Sequence, residues 1–189
     1  MLPFDASGEL KFDVGGMSVA IPFQSGKKEG IASFVSSEGN VLIEAGYKKD
    51  ELEGEVKQYY PSGSLLSIAE FSGGKQNGML QTFFENGVPQ VVTQYKDGKM
   101  HGGFKAFDEF GDVVQECKYA NGKKEGKNTI YYPKSQGGGV YEISFYENGL
   151  LSGDKVSFYP TGEVMTLTPY SAGKPQMYTK NYSKSGKEI

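Results

Sequence analysis

The chain has 189 residues, of which 37% are hydrophobic and 23% are charged, a composition typical of a soluble folded protein rather than a disordered or membrane-spanning one. Its net charge of -3 and its lack of arginine argue against nucleic acid binding. One histidine and one cysteine exclude an internal disulfide and a zinc site of the usual kind, so we expect no metal and no cofactor.

The first residues, MLPFD, lack the basic start and apolar stretch of a signal peptide, and the chain has no run of 18 apolar residues. As the sequence stands, we therefore expect a cytoplasmic protein. An envelope or secreted location is the alternative if an export signal has been removed upstream of Met1.

Glycines recur every 24 residues along the chain, and the last interval is lengthened to 27. These leading glycines are Gly30, Gly54, Gly78, Gly102, Gly126 and Gly153. The phase extends back to an imperfect repeat from Ala6 and forward to a half repeat from Met177. We therefore predict one repeat array over residues 6–189, with no second domain.

Each repeat reads as a β-hairpin, because turn signals such as Asn86-Gly87 alternate with strand-like segments. A column of aromatic residues ends the second strand at Tyr47, Phe71, Tyr95, Tyr119, Tyr146 and Tyr170. We expect these rings to lie opposite the leading glycines of both neighbouring strands and to cover their bare backbone. The predicted fold is all-β, an elongated single antiparallel meander of about fifteen strands that twist rolls into a trough or half-tube.

The segment Lys99-Met100-His101-Gly102, with Glu109-Phe110-Gly111 and Tyr119-Ala120-Asn121-Gly122 after it, resembles the variant MORN repeats of bacterial proteins. The resemblance recurs over residues 6–189. It implies an elongated single-sheet scaffold that serves as an adaptor or attachment surface, with an antitoxin-like role in some bacterial members and links to membranes in other MORN proteins.

No catalytic site is predicted. His101 is expected to be a solvated turn residue, and Cys117 a buried, inert thiol too far from His101 for a dyad. Carboxylate pairs such as Glu53 and Glu55 are no more than is expected among the acidic residues of exposed β-turns, so a hydrolase is a distant alternative.

Two sets of residues are candidates for binding. The second residue of a doubled aromatic motif, at Tyr60, Phe84, Tyr132 and Tyr159, is expected on the face opposite the first, suited to gripping an extended protein or a glycan. The lysines Lys27, Lys75, Lys99 and Lys123 could form a basic row for an anionic surface, although solvated turn lysines explain them more simply. A third candidate is the lengthened hairpin tip at residues 133–139.

We therefore predict a non-catalytic scaffold that binds an unknown protein partner along the sheet face, in an antitoxin-like manner in one form of the hypothesis. The main alternative is an envelope-associated protein that binds an anionic membrane or cell-wall polymer through the lysine row.

Overall fold

The computed structural model describes residues 7–189, so the predicted repeat start at Ala6 lies outside the described residues. In this part of the chain the only helix is a short 3-10 segment at Lys134–Gln136, and all other regular structure is β. The strands are β1 (Gly8–Val14), β2 (Met17–Gln24), β3 (Lys27–Lys28), β4 (Gly30–Val35), β5 (Val41–Lys48), β6 (Glu51–Tyr59), β7 (Leu65–Ser72), β8 (Lys75–Phe83), β9 (Pro89–Lys96), β10 (Lys99–Phe107), β11 (Val113–Ala120), β12 (Lys123–Tyr131), β13 (Val140–Glu147), β14 (Leu150–Leu151), β15 (Gly153–Phe158), β16 (Val164–Ser171), β17 (Lys174–Pro175) and β18 (Lys180–Asn181).

The strands form an antiparallel meander in an 18-stranded sheet. Three strand paths are interrupted, between β3 and β4, between β14 and β15, and between β17 and β18, so the 18 segments follow the predicted fifteen paths. The prediction of an all-β antiparallel meander is confirmed.

The chain divides into two compact units. Unit 1 extends to Pro89 and includes Tyr95–Gly98, and unit 2 comprises Gln90–Gln94 and Lys99–Ile189. A single array over residues 6–189 stays a prediction.

One face of the sheet buries a column of small side chains and is called the packed face. Its buried members include Ala45 and Ala69 in unit 1 and Cys117, Ser144 and Thr168 in unit 2. Successive strand residues alternate between faces, so positions one residue away, such as Ile143 next to Ser144, belong to the opposite or outer face. In unit 1 the packed face is apolar at the level of the small column, where Val56 lies opposite Ala69, whereas the buried Ser67 elsewhere on β7 donates to Gln58 Oε1 at 3.2 Å.

In unit 2 the packed face carries a hydrogen-bonded polar network. Asn128, which is 1% exposed, lies opposite Ser144. Gln115 Nε2 donates to Asn128 Oδ1 at 2.7 Å, and Asn128 Nδ2 donates to Ser144 Oγ at 3.1 Å. The network continues through Glu142, whose carboxylate lies 2.9 Å from Lys155 Nζ. These contacts give the buried polar groups the partners they need.

Several of the leading glycines lie at bulges in the pairing with the preceding strand. Gly78 has a φ of +125° and lies in a register shift where Ala69 and Phe71, two residues apart, face Leu80 and Gln76, four residues apart. A positive φ inside a strand favours glycine because other residues are strained there.

The prediction that the rings lie opposite the leading glycines on both neighbouring strands is confirmed on one side and wrong on the other. Within the hairpins the aromatic does lie opposite the leading glycine, as Tyr119 does to Gly102. On its other side Tyr119 faces Lys124, two residues before Gly126. The side chain that lies close to Gly102 is that of Gln94, the residue before Tyr95 of the aromatic column. A Cβ on Gly102 would collide with this glutamine side chain.

Candidate binding surfaces

The two residues considered for catalysis lie on neighbouring strands but not opposite each other. Cys117 is buried opposite Phe104, as predicted, and burial raises the pKa of its thiol above the ordinary value. His101 is exposed, but it lies within β10 rather than in a turn as predicted, because this strand begins at Lys99. Among residues 7–189, no group of three or more His, Cys, Asp or Glu side chains could hold a metal ion.

The four residues of the predicted aromatic row are half-buried at the first position of a hairpin turn. The Tyr60 backbone N–H donates to Ser64 O, and its carbonyl accepts from the Gly63 N–H. The three tyrosine hydroxyls of the row each donate to a backbone carbonyl of the following hairpin: Tyr60 to Phe83, Tyr132 to Phe158 and Tyr159 to Tyr182, at 2.8 to 2.9 Å. These tyrosines therefore connect successive hairpins, and their role in binding stays a prediction.

The paired aromatics do not divide cleanly between the two faces. The Tyr131 hydroxyl donates to Glu116 Oε1 at 2.7 Å, and the neighbouring Tyr132 ring meets the Tyr141 ring edge-on with centroids 5.1 Å apart. Glu116 and Tyr141 both have outer-face positions by strand alternation. A register shift between Ile130 and Tyr131 interrupts the alternation on which the prediction rested.

All four lysines of the predicted basic row are exposed. Two of them also have a packing role. A Cβ on Gly149 would lie 3.3 Å from Lys123 Cβ, and one on Gly122 would lie 3.9 Å from Lys99 Cβ, so these lysine stems cover the next turn. The amine groups remain at the surface, as is usual for lysines that pack through their methylenes.

The sequence analysis missed a set of glutamates that act on turns. Glu29 Oε2 accepts from the Lys49 N–H at 2.9 Å, and Glu53 Oε2 accepts from the Gly73 N–H at 3.0 Å. Glu125 does the same for Asn148, at 2.9 Å. Their spacing, one residue before a leading glycine, was visible in the sequence, but it did not reveal which backbone groups they reach.

The lengthened hairpin tip carries the short 3-10 helix, which ends at Gly137 with a φ of +98°. Lys134 Nζ lies 2.6 Å from Asp112 Oδ1 of the preceding hairpin. The hydrogen bond that the exposed Lys134 amine donates to this carboxylate raises the pKa of the amine. The insertion is thus anchored to its neighbour by a surface ion pair, a contact that contributes little stability.

A second feature missed in the sequence is an apolar group on the outer face of unit 2. Ile143 lies opposite Val156, and Val156 lies opposite Leu167, so the three form a row across β13, β15 and β16. Phe145, two residues along β13, is 42% exposed. We call these four residues the outer patch.

The corresponding row in unit 1 is mostly polar, and it reads Ser33, Glu44, Lys57, Ile68 and Gln81 across β4 to β8. The outer patch is therefore a local feature of unit 2 and not a requirement of the hairpin repeat.

An open cleft of ≈ 470 Å³ borders the outer patch on β10, β11 and β12. Its lining includes Lys105, Lys118 and Lys127 together with Glu116. Lys127 lies directly opposite Phe145 of the patch. An apolar centre with a charged border is the usual make-up of a protein interface.

The comparison with known proteins concerns the middle of the chain. Residues 52–72 and 76–97 each match the MORN repeat variant. Two of the hairpins are thus MORN-variant repeats. The first match covers β6 and β7, and the second covers most of β8 and β9.

No curated protein matches the chain. MORN repeats suggest a repeat scaffold, commonly one that binds membranes or proteins, and this fits a non-enzymatic role. In residues 7–189 there is no helix long and apolar enough to cross a membrane.

Proposed function

We propose that this chain is a non-catalytic repeat scaffold that binds a protein partner through the outer face of unit 2. The observation that carries the proposal is the outer patch, where Ile143, Val156 and Leu167 lie side by side and Phe145 remains 42% exposed. Contiguous exposed apolar side chains commonly mark interaction sites. The polar row at the same place in unit 1 shows that the hairpin fold does not need these residues.

The neighbouring residues suit a protein more than a lipid surface. The cleft beside the patch carries Glu116 and Glu125 as well as three lysines, so its charge is mixed. Mixed charge at the border gives a protein partner opposite charges to pair with, which sets its orientation and association rate. An anionic bilayer would meet repulsion from the two glutamates.

The predicted aromatic row belongs to the same proposal. Tyr132 lies next to the outer face through its contact with Tyr141, so it extends the patch toward the hairpin turns. The roles of Tyr60, Phe84 and Tyr159 in binding are proposed on their exposed ring area alone. An antitoxin-like function is the narrower form, in which the partner is a toxin and coexpression relieves its toxicity.

The test compares tagged variants of the full chain in capture experiments from the native cell extract. The patch variant carries Phe145→Glu and Leu167→Glu. Its matched control carries Ile31→Glu, since Ile31 is an outer-face residue of unit 1 and 67% exposed. A second variant changes Lys27, Lys75, Lys99 and Lys123 to glutamine.

A protein that is retained by the parent chain, the control and the lysine variant, and lost by a folded patch variant, is the expected result. Anchoring residues of this kind cost about 2 kcal/mol or more each when removed, which weakens binding at least 30-fold. Sedimentation of the parent with vesicles of an anionic phospholipid, abolished in the lysine variant, together with capture that is unchanged in the patch variant, would overturn the proposal.

A further inference from the structure

Strand β1 is an edge of unit 1 with an unusual pattern of exposure. It pairs with β2 along its whole length, from Gly8 opposite Phe23 to Val14 opposite Met17. Phe12 and Val14 are 43% and 52% exposed, although they lie on the packed face with Val19, which is 2% exposed. Side chains that are covered in the next strand are thus left open in this one.

The backbone of β1 has hydrogen-bonding groups directed away from β2. A two-residue turn, Gly15 and Gly16 with φ of +58° and +78°, joins the two strands, so Val14 and Met17 form a hydrogen-bonded pair. Alternation then turns the N–H and C=O groups of Glu9, Lys11 and Asp13 outward. An edge of this kind is a template for another strand.

We propose that β1 binds the β1 strand of a second copy of this chain in an antiparallel pair, and so joins two molecules edge to edge. The inference goes beyond the proposed function, because it concerns unit 1 and does not use the outer patch.

The sequence of β1 is complementary to itself in one register. When Phe12 lies opposite Phe12 of the second copy, Leu10 lies opposite Val14, and Lys11 lies opposite Asp13. On one face the two Phe12 rings then cover each other and each Val14 is covered by a Leu10, and two ion pairs form on the other face. All of these cross-strand contacts are of kinds that stabilise sheets.

Neighbouring registers are disfavoured. A pair centred on Lys11 would place the two lysines opposite each other and Glu9 opposite Asp13, and like charges directly opposite are destabilising. A pair centred on Leu10 would place Phe12 opposite Gly8, which has no side chain to cover the ring. A lysine in an edge strand normally deters pairing, whereas here Asp13 supplies the opposite charge in one register.

The contacts that these charges make within the chain do not prevent this pairing. Lys11 Nζ lies 2.8 Å from Glu9 Oε2, with the two side chains 72% and 45% exposed, so the pair is weak and free to rearrange. Asp13 Oδ1 accepts from Ser18 Oγ and retains a second oxygen. A single strand pair makes a small interface, so we expect a dissociation constant in the micromolar range or weaker.

The test is sedimentation of the full chain from about 10 μM to about 1 mM, a range that covers weak association. The parent is expected to dimerise. In the proposed register, residue 11 of each copy faces residue 13 of the other. K11D therefore places aspartate opposite aspartate at both of these pairs, and D13K places lysine opposite lysine, so each variant alone should dimerise at least tenfold more weakly.

An equal mixture of K11D and D13K should dimerise again, because each aspartate of one chain then faces a lysine of the other. The double variant K11D/D13K should also recover. The control K75D alters the charge of another exposed lysine in unit 1 and should leave dimerisation unchanged. A parent that stays monomeric, a dimer that K11D does not weaken, or a mixture that shows no recovery would overturn the proposal, with far-UV circular dichroism confirming that each variant is folded.

Discussion

The polar network of unit 2 gives a quantitative prediction at Asn128. Replacement by valine removes the bonds to Gln115 at 2.7 Å and to Ser144 at 3.1 Å, together with a longer bond that Lys124 Nζ donates at 3.4 Å. At about 1 kcal/mol each, the two shorter bonds account for about 2 kcal/mol. The Gln115 amide then loses the acceptor of its N–H group, and the Ser144 hydroxyl, in a residue that is 0% exposed, keeps its bond to Glu142 Oε1 but no longer accepts one. These two losses together add up to about 2 kcal/mol.

We therefore expect Asn128→Val to lower the free energy of unfolding by about 2–4 kcal/mol, or the melting temperature by about 4–16 °C for a chain of this size. Unit 1 supplies the matched comparison, since Val56 and Ala69 occupy the same paired positions as Asn128 and Ser144. Addition of Ser144→Ala recreates that apolar pair. It should recover about 1 kcal/mol of the loss, because the valine then faces a methyl group instead of a hydroxyl oxygen that has lost its donor, while Glu142 keeps its ion pair with Lys155.

Urea unfolding of the parent, the single variant and the double variant measures both effects, with equal m-values confirming that the unfolded states are comparable. The reasoning would be refuted by a single variant within about 0.5 kcal/mol of the parent, the range of ordinary surface changes. A double variant less stable than Asn128→Val would refute it equally.

Three further predictions concern turns and tyrosines. Ala172 has a φ of +50°, so Ala172→Asn should stabilise the protein by about 0.5–1 kcal/mol in thermal unfolding, and a destabilisation would contradict the strain. Tyr132→Phe removes the hydroxyl bond to Phe158 and should cost about 1 kcal/mol, with no loss expected if this bond is unimportant. The hydrogen bond to Glu116 raises the pKa of Tyr131 above 10.0, so its contribution to stability is complete below that pH and is lost as the pH rises through the folded-state pKa. Tyrosine ionisation is followed by absorbance in the parent and in Tyr131→Phe. The variant should lack one tyrosine that ionises above pH 10.0 in the parent, and a missing tyrosine that ionises below that pH would disprove the assignment.

The repeat period predicted the hairpins well because turn chemistry is local. Asn86-Gly87 and its equivalents carry their turn signal in adjacent residues, and the small column at Ala45 and Ser144 follows from strand alternation. The bulges were harder to predict from the sequence. A glycine such as Gly78 is compatible either with a strand backbone that a neighbouring ring covers or with a positive φ, and only the register of the paired strands separates the two.

The candidate surfaces were predicted less completely for a related reason. The Tyr60 hydroxyl reaches the carbonyl of Phe83, 23 residues later, and no local pattern encodes that distance. The outer patch was missed because Ile143, Val156 and Leu167 come from three strands, and only the register of the paired strands shows that they lie opposite one another. The exposed lysines were found easily, since solvated charge at turns is a local property.

The bonds between turns have a consequence for how such a chain can change in length. The N–H of Gly122 donates to Met100 O, that of Gly149 to Lys124 O and that of Gly173 to Leu151 O, so each of these turns is bonded only one period back. Removal or duplication of a whole period therefore returns every donor to an equivalent acceptor, whereas a change of a few residues within a strand does not. Gene duplication can thus lengthen the chain in whole steps, while the extra residues at positions 133–139 are tolerated because they fall at a hairpin tip, beyond the reach of this bonding.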